Sequence, residues 1–302
     1  MAPYERINRK ELNPARELER HLAAFGETQQ TIKNFRMEQS DTSSRGNLSM
    51  HDPRGRHEFA DFAGEFADTI DARRNPETKM YANILAIVPN TIGAIHALEH
   101  HNELETKDYH AAIHMIEFNH TLREIIETNP SIQPKVVTDL IKSATLRYGY
   151  GADAVNAIVN QTHEALYGIK HEQAFKAALF YLPEGYELVE ASSEAEETML
   201  DKHGTDIRVR CPNGVIVSID VKSSQKGVEY AHLKEQLYQQ KGGRLKPHQI
   251  TLYSGFTSED FDTNSPWQPN QAAIARVVPQ IEQELRRASQ RKDIFARERV
   301  RR

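Results

Sequence analysis

The chain carries one cysteine, Cys211, in 302 residues, which excludes an internal disulfide. It also lacks a convincing membrane span. The longest apolar stretch, Tyr81 to Leu98, is interrupted by Asn83, Pro89, Asn90 and His96, and reads as a buried helix pair or a helix-turn-helix around Pro89. The charged start, Met1 to Lys10, has no secretory h-region, so the expectation is a cytoplasmic location without membrane contact. No fixed-period repeat is evident. A surplus of positive charge is missing as well: 38 Lys and Arg stand against 43 Asp and Glu, a formal net charge of -5. Bulk charge therefore does not coat nucleic acid, although a local basic groove, or a metal offsetting an acidic site, can still bind it.

A composition of 38% hydrophobic and 27% charged residues is that of an ordinary globular protein, and the length suits two domains. The first half reads as helical. Asn13-Pro14-Ala15-Arg16 opens a pattern through Leu18, Leu22 and Phe25, and Glu58 to Ala72 holds Phe59, Phe62, Phe66 and Ile70 at helical spacing. Further helices are expected over 78–102, 107–128 and 134–148, with a polar connector over 39–47. Gly149-Tyr150-Gly151 marks a boundary between an all-helical N-terminal domain, 1–150, and a second domain, 151–302, with Ala152 to Tyr167 able to pack with either. The helical domain could recognise a substrate, hold a dimer together or bind a partner protein.

The second domain carries the chemistry. Ile207, Val209 and Cys211 alternate with Asp206, Arg208 and Arg210; Pro212-Asn213-Gly214 supplies a turn, and Val215 to Lys222 forms a second strand. Side chains alternate across a strand, so Asp220 and Lys222 share a face, roughly 7 Å apart in rise, while Val221 points into a core. If the hairpin turns at Asn213-Gly214, pairing brings Asp206 beside Asp220. Two carboxylates with one open side suit Mg²⁺ or Mn²⁺, which takes carboxylate, water and phosphate oxygens. A lysine beside them can orient or deprotonate the attacking water and offset charge on a phosphate. Around the hairpin, Gln173 to Tyr181 reads as a helix, Tyr186 to Ala191 as a strand, Ala231 to Gln240 as a helix and Gln249 to Ser254 as a strand. The order is α-β-β-β-α-β.

On Asp206, Asp220-Val221-Lys222 and that order, residues 165–256 resemble the PD-(D/E)XK nuclease superfamily, which includes many restriction enzymes and Holliday-junction resolvases. Thr205 stands where the family name has proline. The resemblance implies an α/β fold with a restriction-endonuclease-like αβββαβ core behind the helical domain. It implies metal-dependent cleavage of nucleic acid, DNA before RNA, with a homodimer for cutting both strands and a role in defence, recombination or repair. It also implies a glutamate on the first core helix, for which Glu172 is the best match and Glu164 the reserve. Glu172, Asp206 and Asp220 would then hold the metal and Lys222 would complete the catalytic set. A glutamine-tyrosine motif found in some members has a loose echo at Gln236-Leu237-Tyr238, and Ser223, Ser224, Gln225 and Lys226 lie close enough to Lys222 to touch a phosphate.

Three features remain outside this reading. His96, His100 and His101, with His110, His114 and His120, include helical i,i+4 pairs that could bind a metal such as zinc, but the alanine after His96 and His110 replaces the glutamate of a zinc-protease helix. A structural or exposed role is favoured for them. The stretch Glu282 to Arg302 reads as a helix ending in Arg291-Lys292, Arg297, Arg299, Arg301 and Arg302, a solvated end or a phosphate-contacting arm. The acidic segment Ser192 to Lys202 is expected as a solvated loop or short helix. The alternatives to a DNA nuclease are an RNA-cleaving enzyme, a catalytically silent binding or assembly module on the same fold, and a histidine-metal helical protein.

Overall fold

Pro14, Pro53, Pro76 and Pro134 each occupy the first residue of a helix, where a missing N–H breaks no hydrogen bond and the fixed φ suits the first turn. The helices are α1 (Pro14–Gln39), α2 (Pro53–Thr69), α3 (Pro76–His100), α4 (Tyr109–Thr128), α5 (Pro134–Arg147) and α6 (Ala152–Leu179). The computed structural model describes residues 14–39, 50, 52–100, 109–191, 205–240, 248–262 and 265–291. The chain is mixed α/β and divides into two compact units, Met1–His163 and Glu164–Arg302. The division falls within α6, beyond the Gly149-Tyr150-Gly151 turn.

In the first unit α3 packs against α1, α2, α4 and α5, burying Met80, Tyr81, Ile84, Leu85 and Val88. By length and composition alone Pro76–Leu98 could cross a bilayer, but 44% of that apolar window is buried inside the fold. A helix surrounded by other helices is apolar on most sides for this reason. The expected break or turn at Pro89 is absent: α3 runs through it. Proline has no N–H to give the carbonyl four residues back, and that carbonyl, on Leu85, instead accepts a 2.7 Å hydrogen bond from the Tyr148 hydroxyl. Tyr148 is fully buried at the end of α5, and burial pushes its phenol pKa well up. The helix continues because a distant side chain satisfies the group that proline orphans.

The second unit contains β1 (Glu187–Leu188), β2 (Ile207–Arg210), β3 (Ile216–Lys222), α7 (Gln225–Gln240), β4 (Gln249–Tyr253), β5 (Phe261–Asp262), β6 (Ser265–Pro269) and α8 (Gln271–Ser289). Strands β1 to β4 form one sheet in chain order and β5 pairs with β6. β1, β2 and β3 are antiparallel neighbours, whereas β4 lies parallel to β3 because α7 carries the chain back to the same end of the sheet. At the hairpin Gly214 N–H donates to Cys211 O at 2.8 Å, closing a three-residue loop with Pro212 early and Gly214 at φ 80°, the conformation glycine tolerates.

One face of this sheet presents Ile207, Val209, Val217, Ile219, Val221 and Ile250 to Ala174, Phe175 and Ala178 of α6 and to Ile274, Val277, Ile281 and Leu285 of α8. The other face carries Arg208, Ser218, Asp220, Lys222 and Thr251. α8 begins eleven residues before the expected Glu282, where the Asn270 side chain accepts from Ala273 N–H at 2.9 Å as its cap, and it ends at Ser289; the basic residues from 292 onward lie outside the described residues. α7 starts at Gln225 instead of Ala231 because Ser224 caps it, its hydroxyl accepting from Gly227 N–H at 3.1 Å. The expected strand at 186–191 is cut to Glu187–Leu188, and residues 40–49 and 192–204 fall outside the described set.

Because the Leu85 carbonyl is buried, Tyr148→Phe is expected to lower the unfolding free energy by about 1–3 kcal/mol. Pro89→Ala in the same chain returns a helical donor to Leu85 and should remove most of that loss. Urea unfolding of the four-member double-mutant cycle checks this; equal losses with and without Pro89 would mean that the hydroxyl does not compensate for the proline.

Candidate active site

The β2–β3 pairing ends at Ile207 opposite Ile219; Asp206 is the residue just before β2, and Asp220, one step past Ile219 on β3, lies beside Thr251 of β4. The two carboxylates come together there and act on one another. Lys222 follows two residues on, beside Tyr253. A continuing ladder would send Val221 N–H to the carbonyl of residue 205. Instead it donates to Asp206 Oδ2 at 2.6 Å, while Asp206 N–H reaches Ile219 O at 2.9 Å. The carboxylate takes the place of a main-chain acceptor where regular β2–β3 pairing ends.

Lys222 Nζ donates to Asp220 Oδ1 at 2.6 Å, and Thr251 Oγ1 lies 3.5 Å from Asp220 Oδ2. The Asp220 side chain is 13% exposed and that of Lys222 35%, so the site opens toward the lysine. Burial, then the charges of Glu172 and Asp220, hold the Asp206 carboxyl well above its usual range. Asp220 is also raised, by burial and further by Glu172, although Lys222 opposes this. Burial pulls the Lys222 ammonium down, but the charge and hydrogen bond of Asp220, with Asp206 and Glu172, outweigh it and leave its pKa raised.

Glu172 acts on all three of these groups; Glu164 stands eight residues earlier, roughly 12 Å back along the helix. Ser223 is half-buried, and Gln225 and Lys226 are exposed on the first turn of α7. Gln236 does not join this site: it stands eleven residues beyond Gln225, roughly 16 Å up the helix axis, and is exposed. Its helix begins six residues earlier than the hydrophobic spacing suggested, which carries Gln236 three turns away from the strand end.

Three residues escaped the sequence reading. Thr251 touches Asp220 only because β4 pairs parallel with β3. Gly227 packs so closely that a Cβ there would lie 3.4 Å from Lys222 Cβ and 3.3 Å from Ser224 Oγ. The isolated glycine in an otherwise helical run was the available signal. His171, next to Glu172, is buried with Nδ1 2.6 Å from Ser254 Oγ, and ties α6 to the chain just past β4. Burial, with the Lys170 charge, pulls its pKa down to about 4, so the imidazole is neutral at working pH.

Among the described residues no group of three His, Cys, Asp or Glu side chains stands together as a metal cage. Two adjacent carboxylates on one open side nevertheless suit a Mg²⁺ ion, which keeps several waters and uses one or two protein carboxylates. Among the described residues the histidines form no metal-binding group: His96 and His110 are exposed, and His114 Nδ1 is 2.9 Å from Glu117 Oε2. The His100 side chain and His101 lie outside the described residues. Compared with protein-family models, curated proteins and solved structures, the chain finds no match.

Asp206 has a folded pKa well above its ordinary value of 3.8, so the fold favours the neutral acid. That contribution is fully present below about pH 4 and is lost as pH rises through the raised folded value. Asp206→Asn is therefore expected to unfold at a higher temperature than the parent at pH 8, with the gain shrinking toward pH 4. Thermal unfolding across this range, in EDTA, checks it; an Asn variant less stable at pH 8 would mean that the ionised carboxylate is favourably held.

Proposed function

We propose that the second unit is a metal-dependent nuclease domain of the PD-(D/E)XK type, hydrolysing phosphodiester bonds of nucleic acid with DNA as the favoured substrate. The observation that carries this reading is the meeting of Asp206 and Asp220 where β2–β3 pairing ends, with Lys222 two residues on and Glu172 acting on both carboxylates. A restriction-endonuclease-like core is supported by the order helix, three strands, helix, strand and by the parallel pairing of β4 with β3. Fold-level likeness does not fix the substrate, and the choice of DNA rests on analogy with the family. A homodimer is the simplest arrangement for cutting a duplex, since one such site cuts one strand.

Asp206 and Asp220 would hold Mg²⁺ or Mn²⁺, which when bound offsets charge on phosphate oxygens and acidifies a water. Lys222 is an ammonium at neutral pH, so it donates and does not abstract a proton. One of its three N–H groups is engaged with Asp220, leaving two for a water and a phosphate oxygen. Glu172, whose charge acts on both aspartates, would orient a water or complete the metal's shell. Thr251 steadies the second oxygen of Asp220, and the Gly227 backbone against the Lys222 stem limits where the ammonium can go. Ser223, Gln225 and Lys226, at the start of α7, are suited to phosphate contacts because a helix N-terminus favours anions.

The deciding experiment offers labelled duplex, single-stranded and branched DNA, and RNA, to the purified chain with Mg²⁺, Mn²⁺ or EDTA. Metal-dependent cutting should fall about 10²-fold or more in Asp220→Ala and in Lys222→Ala. No cutting of any substrate by a folded, metal-supplied protein would turn the reading toward a binding or assembly module. Gly227→Ala tests the approach to Lys222: the added Cβ should lower the rate of cutting by about tenfold, within the range one misplaced donor costs, while the unfolding temperature stays close to the parent's.

A further inference from the structure

α7 is the least buried helix of its unit. None of its residues is fully buried; Gly227, Val228, Ala231 and Glu235 are half-buried toward the sheet, and the remainder faces solvent. Its exposed side is not the charged surface such a position ordinarily carries. Lys226, Tyr230, Lys234 and Tyr238 recur every four residues, a row with a rise of roughly 6 Å per step. Tyr230 is 48% exposed and Tyr238 55%, with Leu233 and Leu237 exposed beside them. Lys234 Nζ lies 4.4 Å from the Tyr230 ring centroid. Neither lysine forms an ion pair with a carboxylate among the described residues. Of the acids on the helix, Glu235 is engaged by His232 at 3.3 Å, and Glu229 stands on the flank of the row.

The row starts at the site. Lys226 precedes Gly227, whose backbone packs on the Lys222 side chain. Alternating ammonium groups and half-exposed aromatic rings match the chemistry of a nucleic-acid strand whose bases are unpaired: phosphates meet the lysines, and bases stack on the tyrosines. A duplex keeps its base faces stacked internally and cannot use the rings in this way. A second copy of the chain fits less well, because these six exposed side chains fall far below the roughly 20–30 residues a side of a stable protein interface. We propose that α7 is a track for an unpaired nucleic-acid strand, leading it to Asp206, Asp220 and Lys222. The proposal rests on the nuclease reading for where the strand leads, but binding can be measured without cleavage.

The test uses fluorescence anisotropy in EDTA at fixed salt, with the full chain and labelled 15-nucleotide single strands of DNA and of RNA beside a blunt DNA duplex. The single strand should bind at least tenfold more tightly than the duplex. Tyr230→Ala with Tyr238→Ala should weaken single-strand binding by about tenfold per ring, and the matching Tyr→Phe pair should retain it. Lys226→Gln with Lys234→Gln should weaken binding and flatten its salt dependence. Equal affinity for duplex and single strand, or an alanine pair that binds like the parent, overturns the track. A change of oligomeric mass in the alanine pair without a change in oligonucleotide affinity also overturns it and assigns the row to self-association. Single-strand binding lost in the alanine pair, in a protein that never cuts with Mg²⁺, leaves the track standing and removes the nuclease; metal-dependent cutting without single-strand preference does the reverse.

Discussion

The hydrogen bond from Val221 N–H to Asp206 Oδ2, at 2.6 Å, is the contact on which the second unit's arrangement turns. Regular β2–β3 pairing runs to Ile207 opposite Ile219, and the next main-chain donor on β3 is taken by a side chain. A buried N–H cannot be left unpaired without a cost of about 1–3 kcal/mol, so Asp206 satisfies the backbone as well as offering a charge. One oxygen is committed to the backbone and the carboxylate is thereby held beside Asp220. Precision at the site comes from the ladder beneath it: the apolar face of the same strands is locked against α6 and α8, and strands held on one side cannot slide on the other.

Charge then sets what this geometry can do. Burial, and then the charge of Glu172, raises the cost of ionising Asp206 and Asp220, and Lys222 offsets only part of it. Ions in a partly desolvated site interact more strongly than in water, so an added cation would relieve more repulsion here than at the surface. Lys222 itself is held protonated by the same carboxylates, which separates its role from that of a base. His171, neutral and tied to Ser254, joins α6 to the sheet without adding another charge beside Glu172.

Much of the hairpin was legible in the chain because period-two alternation and the Pro212-Asn213-Gly214 turn constrain each other. A three-residue loop sets the register as far as Ile207 opposite Ile219, and the Val221 N–H then holds the Asp206 carboxylate beside Asp220. Thr251 was not legible in the same way, since its place depends on a parallel pairing between strands separated by a whole helix. The start of α7 was obscured by Gly227, a poor helix former retained beside Lys222 where the approach is close. That error moved Gln236 toward a site from which the completed helix carries it away. Glu172 and Glu164 could not be separated by helical periodicity alone, which fixes a face of α6 but not the turn that lies over the carboxylates. Pro89 read as a break because its compensating hydroxyl, on Tyr148, is far away in sequence.

Pro89 and Asp206 expose the same rule from opposite directions. In α3 a proline removes a donor and orphans the Leu85 carbonyl, and a hydroxyl from α5 supplies the missing hydrogen. In β3 the end of regular pairing orphans the Val221 N–H, and a carboxylate supplies the missing acceptor. The first repair is neutral and fully buried, so it adds continuity to a helix and little else. The second uses an ionisable group beside two other acids, so the same repair carries a cost of ionisation at the edge of an open site. A neutral acceptor such as asparagine could satisfy Val221 without that cost. The sheet's need for an acceptor therefore does not by itself account for a carboxylate at this position.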